Sequence, residues 1–233
     1  MSRARICALG ASLLLLPLTA CSAALPGASP VRDDAACLRH DPDTVLARAV
    51  LDEINLLRTD PAAYAGFVAA LRPAFTGRRM VIDGTGYRTK EGVAAVDEAL
   101  AFLAGAPRCA ALGWSPLLAL AAAHHCADQA RSGATGHIGS DGSRPSDRLR
   151  RLGTAMAQTG ESIAYGFAGP PTARTIVLQL LVDDGVPTRS HRAHLFAPGF
   201  RLAGVAVSAH PRLGRVCVIE YAADFTARGT PTE

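Results

Sequence analysis

The chain lacks a strong excess of either charge and has no closely spaced pair of cysteines. Its formal net charge is only +4 over 233 residues, which is too even for the concentrated basic surface that binds nucleic acid. No C-x-x-C pair occurs, which argues against a zinc ribbon and against a thioredoxin-like redox site. The length allows one domain or at most two small ones, and no internal repeat divides it.

A long hydrophobic run is also missing. The apolar stretch from Ile6 to Leu18 is too short to span a membrane well, since a spanning helix takes about 20 apolar residues. Arg3 and Arg5 precede this stretch and small residues follow it, as in a secretory signal peptide. Residues 18–21, Leu-Thr-Ala-Cys, resemble the bacterial lipobox, which implies cleavage before Cys21 and lipid on its thiol. An ordinary signal peptide with a chance cysteine is the alternative.

These features divide the chain into four parts. We predict a lipoprotein signal peptide over residues 1–20, and a lipidated cysteine with a flexible tether over residues 21–42, which begin rich in Ala, Pro, Ser and Gly. One globular domain should occupy residues 43–226, and residues 227–233 should form a disordered tail. Several acyl chains at one end hold a protein stably on a membrane. We therefore expect an extracytoplasmic protein anchored to the cell membrane or outer membrane of a bacterium.

The remaining cysteines suit an oxidising compartment. Cys7 leaves with the signal peptide and Cys21 carries lipid, so an even number is left. Export favours two disulfides, with three pairings open, and four unpaired buried thiols are the alternative. The disulfide candidates are Cys37, Cys109, Cys126 and Cys217.

Helical periodicity dominates the globular part, and β-rich segments close it. Pro61 after Thr59-Asp60 is typical of a capped helix start, which predicts a helix to about Leu71. The terminal segments 202–209 and 215–222 predict a β-hairpin. Helices in the body with a terminal hairpin indicate an α+β layer architecture. Apolar spacing predicts further helices over 43–58, 91–103, 115–131, 146–152 and 172–183, and a small hairpin or extended loop over 78–90.

Polar residues suited to metal binding or to acid–base catalysis fall in three segments. His137 lies in a loop of glycine and serine, which lets a ligand approach the backbone closely. Glu161 follows Gly160, and Asp183 and His191 come after a helix. Neutral imidazole and carboxylate suit a divalent metal or acid–base work. Because the spacings match no short metal motif, they do not choose between these roles.

The order of these segments resembles a known family. Leu56-Leu57-Arg58, Leu112-Gly113-Trp114-Ser115-Pro116-Leu117, the glycine-flanked His137, Gly160-Glu161-Ser162 and Arg189-Ser190-His191-Arg192 follow one another as in the CAP superfamily. Its members are cysteine-rich secretory proteins, antigen 5 and pathogenesis-related 1 proteins. From about Val45 to Phe225 the chain resembles the bacterial SCP-like branch, in which a segment like Asp183-Asp184-Gly185-Val186 precedes the His-Arg pair.

The resemblance implies a three-layer α-β-α sandwich of CAP type with a terminal antiparallel β-hairpin. It also implies a cleft lined by His137, Glu161, Asp183 and His191, which in some members binds a divalent metal such as zinc through its histidines. Asp183 is preferred over Asp184 as the second acid. Ser162 stands where the family usually has asparagine. We expect Arg192 to pair with Asp183 or Asp184.

Two functions follow from the resemblance and the targeting segment. The first is an envelope-anchored binding or interaction module for lipid or envelope components, with the membrane as a partner through Cys21. The alternative is a metal-dependent hydrolase, in which His137 and His191 hold a metal whose bound water is the nucleophile. Binding is favoured because no clear nucleophile is present. A serine hydrolase is weaker still, because no serine lies in a nucleophile elbow.

Overall fold

The computed structural model describes residues 41–82, 85–155, 157–167 and 170–228. The predicted signal peptide, Cys21, Cys37 and most of the tether lie outside these ranges. At the other end, a short strand reaches Ala227, and the Arg228 N–H donates to the Leu152 carbonyl. The described chain therefore continues past the predicted domain end at residue 226.

Local capping signals start several of the helices. Asp41 accepts a hydrogen bond from the backbone of Thr44, and Asp60, Ser115 and Thr172 do the same for the helices that follow them. No helix within the described ranges combines the length and the apolar content needed to cross a membrane. The helices are α1 Pro42–Thr59, α2 Pro61–Ala69, α3 Val93–Gly105, α4 Pro116–Ser132, α5 Pro145–Leu152, α6 Ala173–Val182 and α7 Ser190–Phe196.

The strands form one central sheet and two small ones. The central sheet has the order β4-β7-β8-β6, with β4 parallel to β7 and the other pairs antiparallel, so β6 lies at an edge. The predicted terminal hairpin is its β7–β8 pair. The strands are β1 Phe75–Thr76, β2 Arg79–Ile82, β3 Thr85–Arg88, β4 Gly113–Trp114, β5 Gly153–Thr154, β6 Thr159–Tyr165, β7 Leu202–His210, β8 Gly214–Ala222 and β9 Thr226–Ala227.

Helices cover both faces of the central sheet. One face packs against α1, α6 and α7 through a large apolar core that includes Ile54 and Ile219 and that extends to α2 and α3. The other face packs against α4 and α5 through residues such as Val218 and Leu149. At Gly204 a Cβ atom would come within 2.0 Å of the Ala119 nitrogen, so only glycine lets α4 lie this close to β7. The three-layer α-β-α arrangement confirms the predicted α+β fold.

The cysteines do not form the predicted disulfides within the described chain. Cys109, Cys126 and Cys217 are free thiols, and Cys37 lies outside the described residues. Cys217 belongs to the apolar core on the α1 face, whereas Cys126 packs with residues on the α4 face. The sheet therefore separates the two sulfur atoms. Of the expected pairings, a disulfide between Cys126 and Cys217 is wrong.

Candidate functional site

The edge strand β6 carries Glu161, which meets His137 from the glycine-rich loop after α4. His137 Nδ1 lies 2.7 Å from Glu161 Oε1; the imidazole side chain is 49% exposed and the carboxylate 1%. The loop turns at Gly136, whose φ of 97° suits glycine, and the Gly136 N–H donates to the Tyr165 hydroxyl at 2.8 Å. The buried carboxylate of Glu161 therefore contacts the half-exposed imidazole of His137.

Arg148 of α5 binds the other oxygen of the Glu161 carboxylate. It is buried, its guanidinium forms an ion pair with Glu161 Oε2, and it donates to the carbonyls of His137 and Ser143 at 3.1 and 3.2 Å. Burial acts to raise the pKa of Glu161. The hydrogen bond from His137 and the charge of Arg148 outweigh this effect, so the pKa lies below its ordinary value. Glu161 is therefore the ionised member of the cluster.

Glu220 of β8 is a second buried acid beside Glu161. The two residues are direct partners in the β6–β8 pair, and Glu220 is 0% exposed. No donor reaches either Glu220 oxygen in the described chain, so a charge there would be unsolvated, whereas a protonated Glu220 donates to Glu161. Burial, followed by the charge of Glu161, raises the pKa of Glu220 well above its ordinary value. Burial therefore favours the neutral form of Glu220 beside the ionised Glu161.

The sequence did not point to Arg148 or Glu220 as site residues. Arg148 looks like a solvated helix start, although it falls on the same face of α5 as Leu149 and Leu152. The apolar residues on that face of α5 are the signal in the sequence that indicates burial of Arg148. Glu220 interrupts the apolar run of residues 216–222, and a lone carboxylate in such a run is itself unusual.

The two adjacent histidines of α4 differ in burial. His124 is exposed, whereas His125 is fully buried and its Nε2 lies 2.9 Å from the Gly136 carbonyl oxygen. Burial lowers the pKa of His125, so the ring is neutral and donates to this carbonyl. His125 thus supports the loop that carries His137.

Asp183 and His191 form a second acid–imidazole pair. Asp183 ends α6 in the left-handed region, with a φ of 56°, which turns its carboxylate back toward α7. Its Oδ1 accepts from His191 Nδ1 at 2.7 Å, and its Oδ2 accepts from the His191 backbone N–H at 3.0 Å. The carboxylate side chain is 1% exposed and the imidazole 19%. One carboxylate therefore fixes both the ring and the first turn of α7.

Asp184 has a separate role. Its carboxylate accepts from the backbone N–H groups of Lys90 and Glu91 at 2.6 and 2.8 Å, which ties the loop after α6 to the chain before α3. The neighbouring Arg189 pairs with Glu91 and with Glu98. Of the two aspartates, Asp183 alone contacts the imidazole.

Arg192 does not make the expected ion pair. Its guanidinium donates to the carbonyls of Leu181 and Val182 at 2.7 and 3.1 Å and pairs with Glu98 at 3.1 Å. The expectation that it pairs with Asp183 or Asp184 is therefore wrong. The guanidinium lies at the end of α6, where carbonyls without helical partners attract a cation.

His194 lies between the two acid–imidazole pairs. Its Nδ1 is 3.1 Å from the Ser162 hydroxyl, and its ring packs beside Phe200 and Tyr221. Burial, and then the charges of His191 and His137, lower the pKa of His194. Ser162 is fully buried, so this serine–histidine contact cannot meet a substrate. It instead joins β6 to α7.

An apolar cleft opens beside the Asp183–His191 pair. Its volume is about 990 Å³, at the upper end of the range for small-molecule sites. The cleft lies between α2, the small sheet β1-β2-β3, β6 and α6, and both Asp183 and His191 line it, whereas His137 and Glu161 do not. Its apolar lining includes Phe67, Leu71, Phe75, Met80, Ile82, Ile163, Phe167 and Leu178.

The donor set does not fit a resident metal ion. His137 and His191 each have Nδ1 on a carboxylate, which is how carboxylates orient metal-bound imidazoles. However, no group of three or more His, Cys, Asp or Glu side chains in the described ranges is arranged to hold a metal. Zinc sites use three or four protein ligands. The zinc site suggested by the resemblance is therefore not formed by these side chains.

Comparison with known proteins adds the family. No curated protein matches the chain. An extracellular protein containing an SCP domain from Bacillus anthracis is 19% identical, with 49% of this chain and 34% of that chain covered and a TM-score of 0.38. This chain therefore spans about a third of that protein.

Two further solved structures share this weak similarity. An outer surface protein from Borrelia burgdorferi is 17% identical, with 48% of this chain and 76% of that chain covered and a TM-score of 0.40. A cysteine-rich secretory protein from Staphylococcus aureus is 13% identical, with coverages of 62% and 45% and a TM-score of 0.37. The family model for the cysteine-rich secretory proteins, CAP, matches residues 51–221, and the chain belongs to this family.

Proposed function

We propose that this protein is an envelope-anchored extracytoplasmic binding module that holds the acyl part of a lipid or envelope component in its apolar cleft. The cleft itself carries the proposal. About 990 Å³ of open volume is lined by aromatic and aliphatic side chains, with the Asp183–His191 pair as the fixed polar group. Apolar pockets with few polar groups are the usual architecture of lipid and small-molecule sites.

The chemistry of the site supports binding over hydrolysis. Both carboxylates are already engaged, Glu161 by His137 and Arg148, and Asp183 by His191. The serine that contacts a histidine is buried, and the donor geometry does not fit a metal that would activate water. Among the described side chains, the serine-hydrolase alternative therefore lacks an accessible serine paired with a histidine, and the metal-hydrolase alternative lacks a group of three ligands to hold the metal.

The location rests on the targeting segment and on the family. Leu18-Thr19-Ala20-Cys21 resembles a lipobox, and the family is a secretory one. Lipid on Cys21 would hold the cleft near a membrane, where acyl chains are abundant.

Binding of a dansyl-labelled fatty acid to the purified chain tests the proposal. The probe should bind the wild-type chain and lose most of its affinity in Leu178→Trp, which fills the cleft with an indole ring. Leu120→Trp is the matched control, since Leu120 is 41% exposed and is not a lining residue. Failure of the probe to bind, or equal binding by both variants, would refute the cleft as the site.

A further inference from the structure

Within the described ranges, the edge strand β6 has a partner strand on one side only. That partner is β8, and in an antiparallel pair the backbone N–H and C=O groups of successive residues point alternately toward the partner and away from it. The Ala223 N–H donates to the Gln158 carbonyl at 3.0 Å, which makes these two residues a hydrogen-bonded pair. The register then turns the backbone groups of Glu161, Ile163 and Tyr165 away from β8.

Side chains cover this free side of β6 toward its two ends. The Gln179 side chain donates to the Tyr165 carbonyl at 2.8 Å, which agrees with the outward direction of that carbonyl. The His194 ring lies over Gly160, where an added Cβ atom would meet its Nε2 at 3.1 Å. Between these two contacts, the N–H and C=O of Ile163 have no partner in the described part of the chain.

Ile163 lines the apolar cleft together with Phe167 and Leu178. Its side chain packs on the α4 face beside Val218, which leaves the free backbone edge toward the cleft. A hydrocarbon chain laid against this edge would cover one N–H and one C=O without bonding either, which is unfavourable. A ligand that fills this part of the cleft should therefore bring both an acceptor and a donor.

The geometry of the two groups selects the chemistry of that ligand. A trans amide directs its N–H and its C=O to opposite sides, so a single amide cannot bond both groups of one residue. An extended amino-acid residue directs its own N–H and C=O to the same side, and so it pairs with both groups of a residue on a strand edge. A fatty acid contains no such residue. The first residue of an N-acylated peptide does, and its acyl chain starts at that same N–H.

We infer that the cleft binds an N-acylated peptide, whose first residue pairs with Ile163 on the free edge of β6 while its acyl chain lies against the apolar lining. The inference rests on the proposed function and names its ligand class. The bound residue begins a fifth strand of the central sheet, and the cleft selects acylated peptides over free fatty acids.

Calorimetric titration of the whole purified chain with three dodecanoyl compounds tests the pairing. The first is N-dodecanoyl-glycyl-glycinamide. The second, N-dodecanoyl-sarcosyl-glycinamide, has a methyl group in place of the N–H of its first residue and should bind at least about tenfold more weakly. The third, N-dodecanoyl-glycyl-sarcosinamide, is the matched control, because its methyl group replaces the next N–H, which points away from β6. It should bind as tightly as the first.

Variants of Ile163 place the pairing on β6. Ile163→Pro removes the N–H that faces the cleft, and proline is tolerated on an edge strand where its nitrogen points away from the partner strand. This variant should bind the glycyl and sarcosyl compounds with equal affinity. Ile163→Val keeps the N–H and should keep the preference of about tenfold. Far-UV circular dichroism checks that both variants fold, and the three compounds decide the question on the wild type alone if Ile163→Pro does not fold.

The outcomes separate the pairing from the proposed function. Equal affinity of the wild type for the glycyl and sarcosyl compounds, or an equal loss with the control compound, overturns the pairing and leaves the cleft as a lipid site. A tenfold preference that persists in folded Ile163→Pro also overturns it. Failure of all three compounds and of the dansyl-labelled fatty acid to bind overturns the proposed function together with the pairing.

Discussion

Replacement of Arg58 by methionine should loosen α7, the helix that carries His191 and His194. Arg58 is 0% exposed at the end of α1. Its Nε donates to the Ala110 carbonyl at 2.9 Å, and its Nη1 donates to the Leu195 carbonyl at 2.6 Å. Both terminal nitrogens also reach the Ala197 carbonyl at 3.3 Å. One cation therefore satisfies the carbonyls at the end of α7.

The loss of stability follows from these contacts. A hydrogen bond from a charged group contributes about 1.5–3 kcal/mol, so the two short bonds give about 3–6 kcal/mol. Burial lowers the pKa of Arg58, which reflects the desolvation of its charge, and methionine removes that penalty while it fills most of the space. We expect a net loss of about 4 kcal/mol, or about 8–16 °C in the melting temperature of a domain this size.

Urea denaturation followed by far-UV circular dichroism measures this loss. Arg72→Met is the control, because Arg72 lies in a half-exposed ion pair with Asp97 and should cost less than about 1 kcal/mol. A loss below about 1 kcal/mol for Arg58→Met would refute the view that this arginine holds α7 in place.

Three further predictions concern the core of the domain. Above the ordinary carboxyl pKa of 4.5, folded Glu220 keeps a proton that the unfolded chain releases, so its contribution to stability falls as the pH rises. Glu220→Gln should therefore gain stability relative to wild type as the pH rises above about 5, by up to about 1.4 kcal/mol per pH unit, in urea titrations; a difference that does not change with pH would contradict a raised pKa of Glu220. Gly204→Ala should destabilise the fold by at least about 2 kcal/mol, because its Cβ would strike α4, whereas Gly66→Ala, in open space on α2, should stabilise it by about 0.5–1 kcal/mol in the same assay. Burial raises the pKa of Cys126 to about 12 and that of Cys217 well above its ordinary value, so iodoacetamide should label both only after unfolding; mass spectra that show either thiol unlabelled after unfolding without reductant would indicate a disulfide.

Local signals predicted most of the fold. Aspartate or serine before a proline marks the helix starts at Asp60 and Ser115, and such capping depends only on residues within one turn. The β7–β8 hairpin follows from two β-rich segments around a short turn, which is equally local. The order of the motifs then placed Glu161 and His191 in one family pattern.

Contacts between segments that are distant in the chain could not be predicted from local sequence. Glu220 meets Glu161 only because β8 and β6 pair in this register, and a shift of one residue would turn either side chain to the other face. Arg148 reaches Glu161 because α5 packs on that same face. The side of the sheet on which Cys126 and Cys217 fall depends on the same register, which is why cysteine counting did not show that these two thiols lie on opposite faces.

Native mass spectrometry of the chain isolated from its own cell envelope tests the central claim most directly. We predict a polypeptide that begins at Cys21 with covalent lipid, together with a further lipid mass that organic solvent releases and that is absent from Leu178→Trp. A chain that carries no releasable lipid, and that takes up none when mixed with extracted envelope lipids, would contradict the assignment of the apolar cleft as a lipid-binding site.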